Sequence, residues 1–529
     1  MQMKKWISLI LVAALVCGLV SGCGSEDPDA YVPTGDALLM EDQDPEDLEP
    51  EKDDQELTLV YYPDRSMNPL FGSDYTNRVL MSLIYQGLFA VDSKSNAHPI
   101  LCNRYYVTAD YRTWTFYIDP NAHFSDGSPV TVDDVVATFA EARENDYYKG
   151  RFFYYLDRVE PSSDGGVDFF LTTPYEKLPM LLDIPILKAS QVDDEHPLGT
   201  GPYMFTESVS GAHLVRDPGW WCGKTQVAAT DSSIDLVEGK NPAQIRDEFE
   251  FGDVGLVCAN PMSDSYAEFR CDYELWEIDS GYFMYIGCNI TYSDFFDDGT
   301  LRTFLTYAID RERLVEENYD GLALPVTLPA SPLSPYHNKN LGEPYGYDEL
   351  KFIDRLSRYK FPTNDKGVDK PLKLLVNADD SARLRCARDI AETLTELGMT
   401  CTTLEYNTNA YKAALAAQNF DIYLGVTRLS STMDLTEFFR PWGELGSWGG
   451  IANDTLLGMC KQALENSGNY YNLYKLLVED GRIIPVMFGY NAIYGRRGLL
   501  TDLSPSRDNV FFYSLGKSLK DIQVETVYE

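Results

Sequence analysis

The sequence predicts an α/β fold that extends over more than one domain. Between residues 372 and 425, short apolar strands alternate with helices that carry apolar side chains on one face, and this alternation is typical of a parallel α/β sheet. The chain has 529 residues, of which 44% are hydrophobic and 24% charged. This length exceeds one ordinary domain, and the composition is that of a globular protein with a large core.

The individual elements follow from apolar periodicity and from turn residues. Thr131 with Asp134 resembles a capping box, which marks the start of a helix. Gly398 is expected to end another helix. The predicted elements are a strand at 57–62, a helical face at 79–84 that Gly87 ends, a strand at 113–118, a helix from Thr131 to about Glu144, a strand at 372–376, a helix at 384–397, a strand at Cys401–Tyr406, a helix at 410–418 and a strand at 420–425.

The charge of the chain excludes some classes of partner. It has 44 Lys and Arg against 82 Asp and Glu, a formal net charge of −38. A surface this acidic repels phosphate backbones and anionic lipid headgroups. We therefore expect no nucleic-acid partner and no attachment to membranes through basic patches.

The first 22 residues have the features of a signal peptide. Lys4 and Lys5 precede an apolar run at 6–20 that suits a signal h-region, and the run ends in Leu-Val-Ser-Gly-Cys at 19–23. This ending resembles a bacterial lipobox, which implies cleavage before Cys23 and a lipid on its thiol. An ordinary signal peptide with an incidental cysteine is the alternative. No other segment is apolar enough to span a membrane, so we expect a protein lipid-anchored to the outer face of the cell membrane, or periplasmic in a cell with an outer membrane.

Residues 23–56 predict a disordered acidic tether. From Glu26 to Glu56 there are fourteen acidic residues, four prolines and little apolar surface. Such a segment buries too little to offset the entropy of ordering. The folded part is expected to begin at Leu57.

The sequence offers little catalytic or metal-binding chemistry. The five histidines show no metal-ligand spacing, there is no Gly-x-Ser-x-Gly, and Gly219–Thr225 is one residue short of a phosphate-binding loop. The eight cysteines beyond Cys23 are widely spaced, so we predict no zinc site and no particular disulfide pairing. We expect no cofactor, no metal and no catalytic residue, although chance carboxylate pairs keep a hydrolase open as an alternative.

A set of phrases in a fixed order resembles the substrate-binding lipoproteins of peptide and nickel ABC importers, solute-binding family 5. The resemblance extends from Leu57 to about Tyr513. The phrases are Asn68-Pro69-Leu70, Ile84-Tyr85-Gln86-Gly87-Leu88, Trp114-Thr115-Phe116, Phe124-Ser125-Asp126-Gly127-Ser128-Pro129-Val130-Thr131 with Asp133-Asp134-Val135, Gly199-Thr200-Gly201-Pro202-Tyr203, Tyr307-Ala308-Ile309-Asp310-Arg311 and Phe420-Asp421-Ile422.

This resemblance implies a two-lobed periplasmic-binding-protein-like clamshell of type II, with an extra subdomain in the first lobe. Such a clamshell closes about a hinge when a ligand contacts both lobes. The implied boundaries are 57–89 for the first part of lobe I, 90–195 for the extra subdomain, 196–288 for the second part of lobe I, 289–499 for lobe II and 500–529 for the C-terminal part of lobe I.

The resemblance also directs attention to the residues before Phe438 and Phe439. Family peptide binders place an acid seven residues before such a pair to hold the ligand's ammonium group, and here that position is Ser431. Asp434 matches a second acidic position of the family phrase and is the candidate substitute. The alternative is that Asp434 only caps the helix that carries the two phenylalanines.

Six further residues are candidate ligand contacts. Arg428 follows a predicted strand and could meet a ligand carboxylate, or form a surface ion pair. Trp442 and Trp448 flank and enter the Gly-rich stretch 443–450 and could line an apolar pocket, or pack in the core. By chain position alone, the remaining candidates are Tyr75, Tyr282 and Tyr490.

The sequence therefore predicts a monomeric extracytoplasmic solute-binding lipoprotein that captures a peptide-like solute and delivers it to an ABC permease without catalysis. Among solute-binding proteins, the alternative ligands are an oligosaccharide or a metal chelate. Bare nickel is disfavoured as a ligand by the few histidines. A secreted hydrolase and a peptide-sensing receptor without a permease are the alternatives from other classes.

Overall fold

A computed structural model describes residues 56–72, 74–145, 147–148, 151–209, 211–222, 232–259, 269–500, 503–511 and the backbone of 523–527. The predicted signal peptide, the lipidation site at Cys23 and the acidic tether up to residue 55 lie outside these residues. Within them, no helix combines the length and the apolar character needed to cross a membrane.

The strands begin at Thr58 and run to the C-terminal region. They are β1 (Thr58–Tyr61), β2 (Phe89–Val91), β3 (Ala97–Pro99), β4 (Cys102–Thr108), β5 (Thr113–Ile118), β6 (Leu156–Pro161), β7 (Val167–Leu171), β8 (Tyr203–Ser208), β9 (Gly211–Arg216), β10 (Ser233–Glu238), β11 (Leu256–Ala259), β12 (Tyr273–Cys288), β13 (Ala323–Pro325), β14 (Leu372–Asn377), β15 (Cys401–Tyr406), β16 (Ile422–Arg428), β17 (Ile483–Arg496) and β18 (Gln523–Val527).

The α-helices are short to medium in length and are supplemented by single 3-10 turns. They are α1 (Tyr75–Ile84), α2 (Val132–Glu144), α3 (Pro242–Phe251), α4 (Arg311–Tyr319), α5 (Lys339–Gly342), α6 (Glu349–Leu356), α7 (Ser381–Glu396), α8 (Thr408–Ala417), α9 (Thr436–Phe439), α10 (Glu444–Ser447), α11 (Asp454–Glu465) and α12 (Tyr470–Asp480). The 3-10 turns are Leu178–Leu181, Ala189–Gln191, Asp294–Phe296, Leu301–Thr303, Leu305–Ala308, Glu343–Tyr345, Trp448–Gly450 and Ser467–Asn469.

One mixed sheet runs through the molecule, in the order β15-β14-β16-β12-β17-β11-β1-β10-β9-β8, with β13 on β17. At one end β14 pairs in parallel with β15 and β16, and at the other β1 pairs in parallel with β10 and β11. A second sheet, β18-β4-β5-β7-β6, and the β2-β3 hairpin lie outside this path.

Four apolar clusters of the described residues fill a two-lobed clamshell, and β12 and β17 connect the lobes. Ile278 of β12 and Ile493 of β17 belong to the first core, in one lobe, whereas Ile286 of β12 and Ile484 of β17 belong to a core of the other lobe. The two strands pair antiparallel along most of their length, with a register irregularity between Asp279 and Phe283. The predicted fold class is thereby confirmed, while the residue boundaries assigned to each lobe stay a prediction.

The elements predicted from periodicity are confirmed almost in register. The predicted strand at 113–118 is β5, and the alternation from 372 to 425 is β14-α7-β15-α8-β16. At the start of α2, the Asp134 carboxylate accepts hydrogen bonds from the Thr131 main chain at 2.8 Å and the Thr131 hydroxyl at 2.7 Å, as the capping pattern indicates. Helix α1 ends at Ile84, before Gly87, because Tyr85 is already extended.

The family phrases form turns and close contacts between segments. In the Phe124–Thr131 phrase, the Asp126 carboxylate accepts from the Ser128 main chain at 2.9 Å and Gly127 has a φ of +79°. A Cβ at Gly199 would overlap the Ile84 carbonyl oxygen, so this position requires glycine. These phrases position α1 and α2, and thereby one side of the cleft between the lobes.

Candidate functional site

A cavity of about 930 Å³ lies between the two lobes. One side is formed by the segment 427–440 at the end of β16, whose Leu429 and Phe438 belong to the core of the second lobe. The other side includes the segment 505–509, which is flanked by Leu503 and Val510 of the first core. The lining residues of this cavity therefore come from both lobes.

A second cavity of about 830 Å³ adjoins the first. The two cavities share four lining residues, which form the wall between them: Arg78, Tyr147, Tyr282 and Arg428. The space available to a ligand is therefore divided by two arginine and two tyrosine side chains.

Five of the predicted contact residues line these cavities. Arg428, Ser431, Asp434 and Tyr282 line the first, and Tyr75 lines the second together with Arg428 and Tyr282. Arg428 is the last residue of β16 and pairs in register with Tyr282 of β12. The end of one strand and the irregular part of its neighbour thus bring these side chains together.

The other three predicted residues lie outside the described lining of both cavities. Trp442 is 96% exposed. Trp448 packs edge-on against the Tyr423 ring, with 5.9 Å between ring centroids. Tyr490 is buried in a core cluster with Phe249. The core-packing alternative therefore describes Trp448, and Trp442 points to solvent.

An arginine cluster occupies the wall between the cavities, and we define it as Arg78, Arg151, Arg428, Asp183, Asp508 and Tyr147. Asp508 Oδ1 accepts from Arg428 Nη2 at 2.9 Å and from the Tyr147 hydroxyl at 2.7 Å. Asp508 Oδ2 accepts from Arg151 Nη2 at 3.0 Å, and Arg151 also pairs with Asp183. One carboxylate thus joins three segments of the chain.

The cluster is buried and its charges are strongly coupled. Burial by itself would raise the pKa of Asp508, but Arg428, Arg151 and Arg78 together reverse this effect and hold its pKa well below the usual range. Burial raises the pKa of Asp183 despite its pairing with Arg151. Asp508 is therefore the permanent anion of this cluster.

Tyr147 is held between two guanidinium groups. Arg78 lies 3.8 Å and Arg428 lies 4.5 Å from the centroid of its ring. Such cation–π contacts are strongest where water is excluded. Because Arg78 also donates to the carbonyls of Pro69 and Gly72, its guanidinium is fixed in the wall.

A second charged group lies at Asp434 and Glu437, which we define as the carboxyl pair. Burial raises the pKa of Asp434 to about 6, against hydrogen bonds from the main chain and hydroxyl of Thr436 at 2.9 and 2.7 Å. Burial also raises the pKa of Glu437, although Arg440 opposes it. The two carboxyls face the cavity with Arg440 as the paired cation.

Asp434 lies one residue before Leu435, the N-cap of α9, and accepts a hydrogen bond from the Thr436 main chain, so it contacts the start of the helix without being its capping residue. Ser431 has a different partner, because its hydroxyl donates to the Met180 carbonyl at 3.3 Å. The Thr436 hydroxyl accepts from Tyr155, and the Thr432 hydroxyl lies 2.8 Å from that of Tyr175. The loop after β16 is therefore fixed against the segment 155–180.

The residues that sequence reasoning missed are Arg78, Arg151, Tyr147, Asp183 and Asp508. They come from α1, from the segment after α2, from the residues after the 3-10 turn Leu178–Leu181 and from the C-terminal region, so no local spacing groups them. The sequence contains one local signal for this cluster, the charged residue Arg78 directly before the apolar positions 79–84 of α1.

The described residues contain no group of three or more His, Cys, Asp or Glu side chains arranged to hold a metal ion. The eight described cysteines are free thiols. At the incomplete phosphate-loop pattern, the Trp220 and Trp221 indoles donate to the Thr200 carbonyl at 2.9 and 3.1 Å, so these bulky rings fill the place where a loop would approach a phosphate. Residues 223–225 of this pattern lie outside the described part.

Fold and cleft together define a solute-binding protein of the clamshell class. The family described as bacterial extracellular solute-binding proteins, family 5 Middle, matches residues 96–450. The chain therefore belongs to the family 5 bacterial extracellular solute-binding proteins.

Individual relatives are distant. The chain is 25% identical over 313 residues to the glutathione-binding protein GsiB of Pectobacterium atrosepticum, with 56% of this chain and 59% of GsiB covered. It is 24% identical over 381 residues to the oligopeptide-binding protein AppA of Bacillus subtilis, with 67% of this chain and 69% of AppA covered. The matched region thus spans less than two thirds of the GsiB protein.

The fold also resembles solved structures of the same class. The ABC transporter substrate-binding protein CtaP of Listeria monocytogenes superimposes with a TM-score of 0.68 at 19% identity, covering 86% of this chain and 97% of CtaP. At this identity the similarity establishes the fold alone.

Proposed function

We propose that this protein captures a peptide-like solute outside the cytoplasm and delivers it to an ABC import permease. The observation that carries the proposal is the cavity of about 930 Å³ whose walls come from both lobes. A solute that contacts both walls stabilises the closed arrangement over the open one, and the difference in contact energy sets the population shift.

The hinge for this closure is the irregular region of β12 between Asp279 and Phe283. Gly281 has a φ of +76°, and its carbonyl accepts from the Leu429 main chain at 2.9 Å. One of the two strands that connect the lobes is therefore irregular beside the cavity. A rotation about this region moves the loop after β16 relative to the segment 505–509.

A peptide-like ligand is favoured by the carboxyl pair and by the relatives. Asp434 is a buried carboxyl with a pKa raised to about 6, so its ionised form is destabilised until a cation neutralises it. A ligand ammonium group supplies that cation. Ser431 occupies the position at which the family pattern has an acid, and we assign the anchoring role to Asp434 instead. The names of GsiB and AppA refer to glutathione and oligopeptides.

We propose further that Cys23 carries a lipid that holds the protein at the outer face of the cell membrane, and that residues 23–56 give it reach. The mature protein acts as a monomer. We assign no catalytic step to the protein, because the family and the named relatives are solute-binding proteins.

A thermal-shift screen of the purified protein tests the proposal. Peptide pools, reduced glutathione, sugars and metal chelates are compared, and mass spectrometry follows each hit. A ligand at a hundredfold excess over its Kd stabilises the native state by about 2.7 kcal/mol. We expect stabilisation by peptides that remain intact. No stabilisation by any peptide contradicts the peptide assignment, and consumption of a hit contradicts the assignment as a non-enzyme.

A further inference from the structure

The arginine cluster contains more positive than negative charge. Its guanidinium groups belong to Arg78, Arg151 and Arg428, and its carboxylates belong to Asp183 and Asp508. Three cations against two anions leave one positive charge in excess. The excess is greater whenever Asp183, whose pKa is raised, is protonated.

Within the described part of the chain, Arg78 is the cation of the cluster that donates to no carboxylate, and it shares the negative charge of Asp508 with Arg428 and Arg151. Its hydrogen bonds there go to the carbonyls of Pro69 and Gly72, at 3.2 and 2.8 Å, and to the Tyr148 hydroxyl at 2.8 Å. All three acceptors are neutral, and Arg78 is only 9% exposed. A buried charge that is not fully compensated is unfavourable, so this wall favours the approach of an anion.

The cluster is positioned to meet a ligand. Arg78 and Arg428 line both cavities, and Arg151 lines the first. The ring of Tyr147 between Arg78 and Arg428 fixes both guanidinium groups, which reduces the entropy that a ligand would otherwise have to remove. Arginine presents several N–H donors in one plane, which suits the oxygens of a carboxylate or a phosphate.

We propose that the arginine cluster binds an oxyanion of the solute, a carboxylate or a phosphate, and thereby selects ligands that are acidic at one end. This inference rests on the proposed solute capture and specifies its ligand class. The carboxyl pair at Asp434 and Glu437 has partners separate from those of the cluster. The cavity thus offers a place for a cation and a place for an anion, and a zwitterionic solute binds in one orientation.

The first test compares charged and neutral forms of one ligand on the unmodified protein. Calorimetry measures the Kd of trialanine against trialanine carboxamide, and of glutathione against its diethyl ester. We expect the loss of the carboxylate to raise Kd at least tenfold. Equal affinities for the acid and its neutral form overturn the proposal, and this comparison needs no variant to fold.

The second test asks whether the preference for the acid over the carboxamide depends on the arginine cluster. Arg78→Gln is expected to bind the acid and the carboxamide with similar affinity, because the excess charge is gone. Arg143→Gln is the matched control, since Arg143 lines the same cavity but donates to the Asp157 carbonyl, outside the cluster. If Arg143→Gln loses the discrimination as fully as Arg78→Gln, the assignment to the cluster is wrong.

A third arm separates this inference from the proposed function. Inorganic phosphate and succinate are tested by thermal shift in the absence of peptide. A rise in Tm that Arg78→Gln abolishes supports the anion site even if no peptide binds, and displacement of trialanine by phosphate shows that the two oxyanions share it. If neither anion raises Tm and no peptide acid binds, the anion site is overturned together with peptide capture, whereas peptides that bind equally well as acid and as carboxamide overturn the anion site alone.

Discussion

Asp508 and Arg428, 80 residues apart in the chain, form an ion pair of 2.9 Å across the cleft. Arg428 ends β16 in the second lobe, and Asp508 lies in the C-terminal segment that packs on the first. Arg151 binds the other oxygen of the same carboxylate. The two lobes are therefore joined by a buried charge network beside the cavity.

Removing the charge of Asp508 should destabilise the protein strongly. Asp508→Asn leaves Arg428 and Arg151 without their shared anion, and breaking a buried pair in this way costs about 3 to 5 kcal/mol. Urea unfolding at pH 7 measures the change. Asp354→Asn is the control, because Asp354 forms an exposed pair with Arg358 whose loss is worth under about 0.5 kcal/mol. Similar losses in the two variants would contradict the structural role of Asp508.

Asp434 should make stability fall as the pH rises from about 4 to about 6. Its pKa in the folded state is raised to about 6, whereas an unfolded Asp titrates near about 3.9. In this window the folded state binds more protons than the unfolded state, so the free energy of unfolding decreases with pH. Thermal melts of the unliganded protein from pH 4 to 7 measure this decrease in stability. Asp434→Asn should flatten this part of the curve of stability against pH.

The same titration gives the opposite trend for ligand binding. A ligand ammonium group pairs with ionised Asp434, so affinity for a peptide with a free amino terminus should rise between pH 5 and pH 7. An N-acetylated peptide should show no such rise, and neither should Asp434→Asn with the free peptide. A rise that persists in Asp434→Asn would assign the amine to another group.

Two glycine substitutions should change stability in opposite directions. Gly199→Ala introduces a Cβ against the Ile84 carbonyl at the end of α1, and forcing the backbone apart costs about 1 to 3 kcal/mol. Gly458 lies within α11, and a Cβ added there would meet no described atom of another segment within 4 Å, so Gly458→Ala should stabilise by up to about 1 kcal/mol. Chemical unfolding of both variants measures the difference, and equal effects would contradict the close packing at Gly199.

Much of the fold was predictable because its signals are local. The strand and helix periods between 372 and 425 predicted β14 to β16 in register, and the residues after β16 followed because they are contiguous with the strand. Arg428 accordingly lines the cavity, as expected for a residue at a strand end. Ser431 and Asp434, which the family phrase indicated, line it as well. A strand end is recognisable from a run of about ten residues.

The arginine cluster was not predictable for the converse reason. Arg78, Arg151 and Asp508 are far apart in sequence, and a buried charge has no period that distinguishes it from a surface charge. Trp442 shows the same limit, since an aromatic residue beside a Gly-rich stretch has the composition of a pocket residue yet is 96% exposed. Only the three-dimensional arrangement decides such cases.

Gly281 provides a direct test of the hinge beside the cavity. A Cβ at this position would lie 2.6 Å from the Leu429 carbonyl oxygen, at a φ of +76°. Gly281→Ala should therefore destabilise the protein by about 1 to 3 kcal/mol and also displace the loop that begins at Leu429, which weakens ligand binding.

Gly367→Ala separates backbone strain from the contact with the loop. Gly367 has a φ of +70°, but a Cβ added there would meet no described atom within 4 Å, so its substitution carries the conformational cost alone. We expect this variant to lose stability while its Kd for peptide stays within about twofold of the unsubstituted protein, a difference of under about 0.5 kcal/mol. If Gly281→Ala also keeps its Kd, the irregular region of β12 does not control the position of the loop that begins at Leu429. The strain at Gly281 would then leave ligand affinity unchanged.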